Sequence, residues 1–234
     1  LPEEILITTM KKNQKYFPLY NEKNKLSNFF VLVSNIKSND NGKIIIEGNQ
    51  RVVNARLEDA VFFWSRDKKF KIKDYFDKLN KIIFHNELGT MHQKATRLKE
   101  LALFLSQKLK HKQNKQTDFL NAVKFLKNDL ASEVVKEFPE LQGIMGSYYT
   151  KDSNYNNRVC NAIYDQYKPL GPNDKLPRND LAKLVALIDK IDTLVGFFII
   201  ERQPTSSKDP LALRRTALGI IRIIIEGKIN INFY

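Results

Sequence analysis

The chain has 234 residues, 42% of them apolar, and a formal net charge of +13 from 39 basic and 26 acidic side chains. That length supports one large or two small cores, the apolar content argues against disorder, and no apolar run approaches the roughly 20 residues that a membrane-crossing helix needs. A lone cysteine, Cys160, excludes an internal disulfide framework and fits a reducing compartment.

The first region should be mixed. Pro2-Glu3-Glu4 marks a helix start, because proline fits the first turn and acids there favour the dipole; the helix should run to about Lys12. Tyr16 to Tyr20 and Phe29 to Val33 are aromatic and β-branched runs parted by the polar Asn21 to Asn28, which predicts a β-hairpin, the only strands expected. Apolar residues at helical spacing, Val52, Val53, Leu57, Ala60, Val61 and Trp64, then place a long helix from Ile45 to about Lys68.

Beyond residue 70 the pattern is helical, with segments expected near 74–86, 91–110, 117–137, 140–150, 156–167, 179–201 and 210–227. Asn179 should cap one helix, while Asp209 with Pro210 should open the last and Gly227 close it. The expected fold class is therefore mainly α, a multi-helix domain at 71–234 preceded at 1–70 by a small α+β segment that contains the hairpin.

The charge excess suits a partner rich in phosphate, although 29 of the basic residues are Lys and only 10 are Arg, which also fits a drift in coding composition. The arginines are more informative, since a planar guanidinium can grip a phosphate with two parallel hydrogen bonds. Arg214, Arg215 and Arg222 fall in one expected helix beside Lys208, and these four are the candidate RNA-binding residues. The bland alternative is a solvated face whose opposite side, Leu211, Ala217, Leu218, Ile221 and Ile225, is buried. Phe138-Pro139 with Gly143 and Gly146 predicts two tight helix junctions, and Tyr148 and Tyr149 should pack in a core.

No pair of histidines stands four apart among His85, His92 and His111, and no glycine-rich phosphate loop is present, so a zinc-protease helix and a self-contained nucleotide fold are both excluded. One constellation, His85, Asp129, Asp189 and Asp192 over three expected helices, resembles the HD superfamily of metal-dependent phosphohydrolases. Those enzymes hold a divalent cation with a His-Asp doublet, and here Asn128 precedes Asp129, which replaces a strong donor by a weak amide oxygen. The four residues are thus vestigial metal candidates, and the simpler expectation for the aspartates is pairing with Lys or Arg. No residue is assigned as catalytic.

Several motifs in order along the chain, Asn54-Ala55-Arg56-Leu57-Glu58-Asp59, Leu88-Gly89-Thr90 with Lys94 and Arg97, Phe138 to Gly146, Asp189 to Leu194, and Ser207 to Arg215, resemble the beta subunit of the bacterial two-subunit glycyl-tRNA synthetase. The resemblance implies a cytoplasmic aminoacyl-tRNA ligase of alpha2 beta2 composition, whose alpha subunit uses ATP and Mg, while the beta subunit recognises and positions glycine tRNA. It implies no cofactor for this chain, no membrane, the alpha subunit and glycine tRNA as partners, and an HD-like fold that has lost its reaction. Residues 1–70 would be the truncated end of a B3/B4-like region, and the start at Leu1-Pro2 without Met suggests a piece of a longer protein. A working HD-type phosphohydrolase and an alpha-subunit docking module are the alternatives.

Overall fold

The computed structural model describes residues 1–12, 14–108 and 113–229; His111 and the last positions of the helix expected over 91–110 lie outside them. In chain order the elements are α1 (Glu3–Lys12), β1 (Phe17–Tyr20), β2 (Leu26–Val31), α2 (Lys43–Asp67), β3 (Ile83–His85), β4 (Gly89–Thr90), α3 (Met91–Lys108), α4 (Gln113–Phe125), α5 (Glu133–Glu137), α6 (Ile144–Asp152), α7 (Asn157–Tyr164), α8 (Asp180–Ile199) and α9 (Leu213–Ile225). Short 3-10 turns lie at Ile72–Tyr75, Asp77–Lys81, Asn128–Ala131 and Pro139–Leu141. The protein is mainly α with a small β component, as its sequence pattern implies. The chain divides into two compact units, one of Leu1–Lys69 with Ser132–Leu141, the other of Phe70–Ala131 with Gln142–Tyr234.

In the first unit, α1 buries Ile5, Thr9 and Met10, and its acids and bases sit at the ends that suit the dipole. β1 and β2 pair antiparallel, with Phe17 opposite Val31 and Tyr20 opposite Leu26. β2 starts three residues before the expected Phe29 because Asn21 Oδ1 accepts from the N–H groups of Lys23 and Lys25, which closes the turn early. Met10, Tyr16 and Val53 form the core with Leu6, Phe30 and Leu57 against them. Asp67, at the end of α2, is buried and takes the Glu133 and Val134 N–H groups, each at 2.9 Å, so that it satisfies the first donors of α5. This is why Ser132–Leu141 belongs with residues 1–69, a return that no single cut at residue 70 contains.

The second unit is built around α8. Asn179 Oδ1 accepts from the Ala182 N–H at its start, as the sequence suggests, and Leu181, Ala182, Leu184, Val185, Leu187 and Ile188 are buried along it. α3, α4, α7 and α9 pack on α8, and Ile220 and Ile223 of α9 meet Ala186 and Leu187. Tyr149 of α6 is buried and stacks on Tyr75 at 5.9 Å between ring centroids. The glycines of the junction keep their expected role: Gly143 has φ 81, and a Cβ at Gly146 would stand 2.8 Å from Ile163 Cγ2.

Three helix expectations need correction. Residues 74–86 form two 3-10 turns and the strand β3, which pairs antiparallel with β4, His85 opposite Gly89 (φ 83), so the hairpin near the N-terminus is not the only β structure. Residues 117–137 break into α4, a 3-10 turn and α5. Asn128 Nδ2 donates to the Ile72 carbonyl and Asp129 accepts from two distant N–H groups, so polar side chains here bind other segments rather than face solvent along a helix. Asp209 does receive the Leu213 and Arg214 N–H groups at 2.8 and 3.0 Å, but an extra turn ending at Ala212, φ 54, delays α9 to Leu213. At the other end Lys228, φ 53, rather than Gly227, takes the left-handed conformation.

Candidate functional site

The four vestigial metal candidates are not spread over three helices: His85 closes β3, Asp129 stands in the 3-10 turn Asn128–Ala131, and Asp189 and Asp192 lie one turn apart on α8. The two α8 carboxylates point at cations supplied by the protein. Lys94 Nζ, from α3, stands 3.2 Å from Asp189 Oδ1 and 2.8 Å from Asp192 Oδ2, and also donates to Thr193 Oγ1 at 2.8 Å. Lys127 Nζ stands 2.8 Å from Asp189 Oδ2 and 2.9 Å from Gln166 Oε1. Arg97 Nε completes the shell of Asp192 at 2.8 Å from Oδ1.

Burial decides how much these contacts matter. The side chains of Lys94 and Lys127 are 3% exposed and those of both aspartates 9%. Burial alone would raise the Asp189 pKa, but the attraction of Lys127 and Lys94 outweighs it and holds the carboxyl well below the usual carboxylate range. An interior carboxylate is stable only when its charge is answered, and two ammoniums and a guanidinium do this for two carboxylates. Three of the four oxygens accept from these cations, whereas Asp189 Oδ1, 3.2 Å from Lys94 Nζ, is ion-paired but accepts no hydrogen bond among the described residues. Cations of the protein thus stand where a divalent metal would have to sit. Among the described residues no group of three His, Cys, Asp or Glu side chains is arranged to hold a metal.

Asp129 meets a different environment a short way along the chain. Its Oδ2 accepts the Gly143 N–H at 2.5 Å and the Gly146 N–H at 3.0 Å, where α6 begins. Burial nevertheless dominates and its pKa is pushed up to about 6, with the two N–H groups and Lys127 pulling down against it. His85 is held edge-on to Phe197, centroids 5.3 Å apart, and its Nδ1 accepts the Glu87 N–H at 3.3 Å. These contacts orient the ring within the hairpin.

The basic helix face separates into two behaviours. Arg214 and Lys208 are exposed and brought together by Thr205, whose carbonyl accepts from the Arg214 guanidinium and whose Oγ1 accepts from the Lys208 N–H at 3.3 Å. Arg215 is exposed and lies close enough to Lys190 to disfavour the latter's charge; burial is the larger effect and brings Lys190 down to about 8. Arg222, one face with Arg215 in the sequence pattern, is committed elsewhere. It donates to the Gly171 and Asp174 carbonyls at 3.0 Å each and grips Glu226 with two bonds of 2.7 and 3.0 Å. Sequence reasoning missed Lys127 and Gln166 altogether. No local signal marks them, since a lysine and a glutamine in a basic, polar chain read as surface until the fold turns them inward.

Internally neutralised carboxylates and a helix that begins with exposed arginines mark a basic, mainly helical protein. The family described as the glycyl-tRNA synthetase beta subunit matches residues 1–234, and the chain belongs to that family. Glycine–tRNA ligase beta subunits similar to it include that of Janthinobacterium sp. (strain Marseille), 48% identical over 231 residues, 99% of this chain and 32% of the relative. Others are those of Phenylobacterium zucineum, 44% over 229 residues, 97% and 34%, and of Rickettsia prowazekii, 43% over 233 residues, 100% and 34%. The chain spans about a third of the length of the curated relatives it matches. The resemblance seen in its motifs is thereby borne out.

Proposed function

We propose that this chain is the RNA-facing helical part of a glycine–tRNA ligase beta subunit, which helps to recognise and position glycine tRNA while the bond-making, ATP-dependent step is carried out with the alpha subunit of an alpha2 beta2 enzyme in the cytoplasm. Its relatives' names support the ligase. The observation that carries the chain's own role is the exposed group Lys208, Arg214 and Arg215 at the start of α9, whose side chains make no ion pair with a carboxylate among the described residues. Guanidinium groups so placed meet phosphate oxygens without reading bases, which positions a nucleic acid rather than specifying its sequence. In this reading residues from about 71 keep an HD-like helical frame whose carboxylates now hold the fold, and residues 1–70 belong to the B3/B4-like region.

The reading is tested by measuring the affinity of the assembled protein for a glycine tRNA transcript across 50–200 mM salt. Affinity should fall steeply with salt, and the Arg214→Ala, Arg215→Ala double variant should bind more weakly with a shallower slope, by about 1 to 2, since each phosphate contact contributes about 0.7 to 0.9. Wild-type affinity that is absent even at low salt would overturn the RNA role. Loss of alpha-subunit association in the double variant, with tRNA affinity intact, would favour the docking alternative instead.

A further inference from the structure

A second cationic feature lies away from α9. A small cavity of about 160 Å3 in the helical unit is lined by Lys73, Phe76, Asp77, Lys99, Lys124, Phe125 and Asn128. Its three lysines come from three elements, the 3-10 turn Ile72–Tyr75, α3 and α4. None of the three makes an ion pair among the described residues. Lys99 rests over the Phe76 ring at 4.8 Å and Lys124 over the Phe125 ring at 5.5 Å, contacts that hold an ammonium in place while leaving its hydrogen-bond donors unspent. Only one acid, Asp77, shares the lining, so the cavity carries a surplus of two positive charges. Like charges held together repel one another unless an anion joins them, and a recessed cationic cavity concentrates such anions.

Asn128, the polar residue of the lining without charge, is fully buried, and its Nδ2 donates to the Ile72 carbonyl at 2.8 Å. That bond ties the turn that carries Lys73 to the chain just beyond Lys124 and the end of α4, so these two lysines are held in register by the fold.

On the reading that this chain meets tRNA, we propose that the cavity ringed by Lys73, Lys99 and Lys124 seats a backbone phosphate of the RNA, as a contact separate from α9. The lysines neutralise the phosphate, the ring-held ammoniums fix its position, and Asp77 limits how tightly it binds.

The test uses the full-length protein with its natural partner subunit and a glycine tRNA transcript. Lys73→Gln, Lys99→Gln and Lys124→Gln together should make the plot of log affinity against log salt shallower by about 1, the share of the one phosphate they hold. The three Lys→Arg replacements should restore it, and Asp77→Asn, which removes the opposing charge, should tighten binding several-fold. Acetylation of the three lysines should be suppressed by tRNA and much less by inorganic phosphate at the same phosphate concentration. An unchanged slope in the triple Gln variant, with wild-type binding still salt-sensitive, would overturn the cavity proposal and leave the tRNA reading standing. Absence of wild-type RNA binding would overturn both. Protection by poly-glutamate but not by RNA would assign the cavity to an acidic protein partner and overturn the proposal as stated.

Discussion

The polar centre beside α8 and the basic face of α9 use the same residue types for opposite ends. At the centre Lys94, Lys127 and Arg97 are spent on Asp189 and Asp192 inside the fold, whereas at the start of α9 Lys208, Arg214 and Arg215 stay exposed with no ion pair among the described residues. A charge with a buried partner is a structural element, and its removal leaves the partner stranded in a poorly solvating interior. A charge in water with no partner adds little to stability and remains available to a ligand. Net charge alone distinguishes neither case. What distinguishes them is where the counter-charge sits.

The contrast breaks most sharply at Lys127. Lys127→Met should destabilise the protein by about 3–5 kcal/mol, because Asp189 loses one of its two ammoniums while still buried; denaturant titration would measure it, and a loss near zero would mean that the centre is not an ion-paired support. The next effect appears with pH. The folded pKa of Asp129, about 6, lies above the ordinary value near 3.9. Its stabilising contribution is therefore fully present below about pH 4 and is lost as pH rises through 6, a change of roughly 3 kcal/mol by linkage. Asp189 has the opposite sign: its folded pKa is depressed, so its contribution is present above about pH 4 and fades as pH falls further. Unfolding free energies at pH 4, 5 and 6 should thus decline less in Asp129→Asn than in the wild type.

A smaller loss is expected at the junction beneath Asp129. Gly146→Ala places a Cβ 2.8 Å from Ile163 Cγ2 and 3.0 Å from Asp129 Oδ2, in a packed interior where such crowding costs about 1–3 kcal/mol. Thermal melting would register it. The smallest effect on stability should come from Arg215→Ala, whose melting temperature should match the wild type while RNA affinity falls. Arg222→Ala should do the reverse, freeing the Gly171 and Asp174 carbonyls and lowering the melting temperature with little change in the salt dependence of RNA binding. The pair sharpens the comparison, since both are arginines of one helix.

Periodicity made α2, α3 and α8 legible, because long amphipathic helices repeat their signal over several turns, while α1 was legible from its Pro2-Glu3-Glu4 start. Short elements do not: the segment that becomes two 3-10 turns and β3 carries apolar residues at spacings that suit a helix equally well, and its pairing with β4 is a contact invisible to local pattern. The aspartates of the polar centre could be read from their place at the margin of an apolar stripe, and Lys94 and Arg97 belong to motifs that marked the family. Lys127 could not, since a lysine in a basic chain looks like surface until the fold turns it inward. Arg222 misled for the same reason in reverse: seven-residue spacing puts it on the face of Arg215, but the loop Gly171 to Asp174, brought over α9 by tertiary packing, takes its guanidinium.

The central claim is that the carboxylates of α8 are neutralised by Lys94, Lys127 and Arg97 and serve to hold the fold. Titrating the protein with Mn2+ while following its melting temperature and phosphate-ester hydrolysis tests this most directly. The account predicts no stoichiometric binding, no shift in melting and no hydrolysis; one equivalent of bound Mn2+ with a raised melting temperature, both lost in Asp189→Asn, would contradict it.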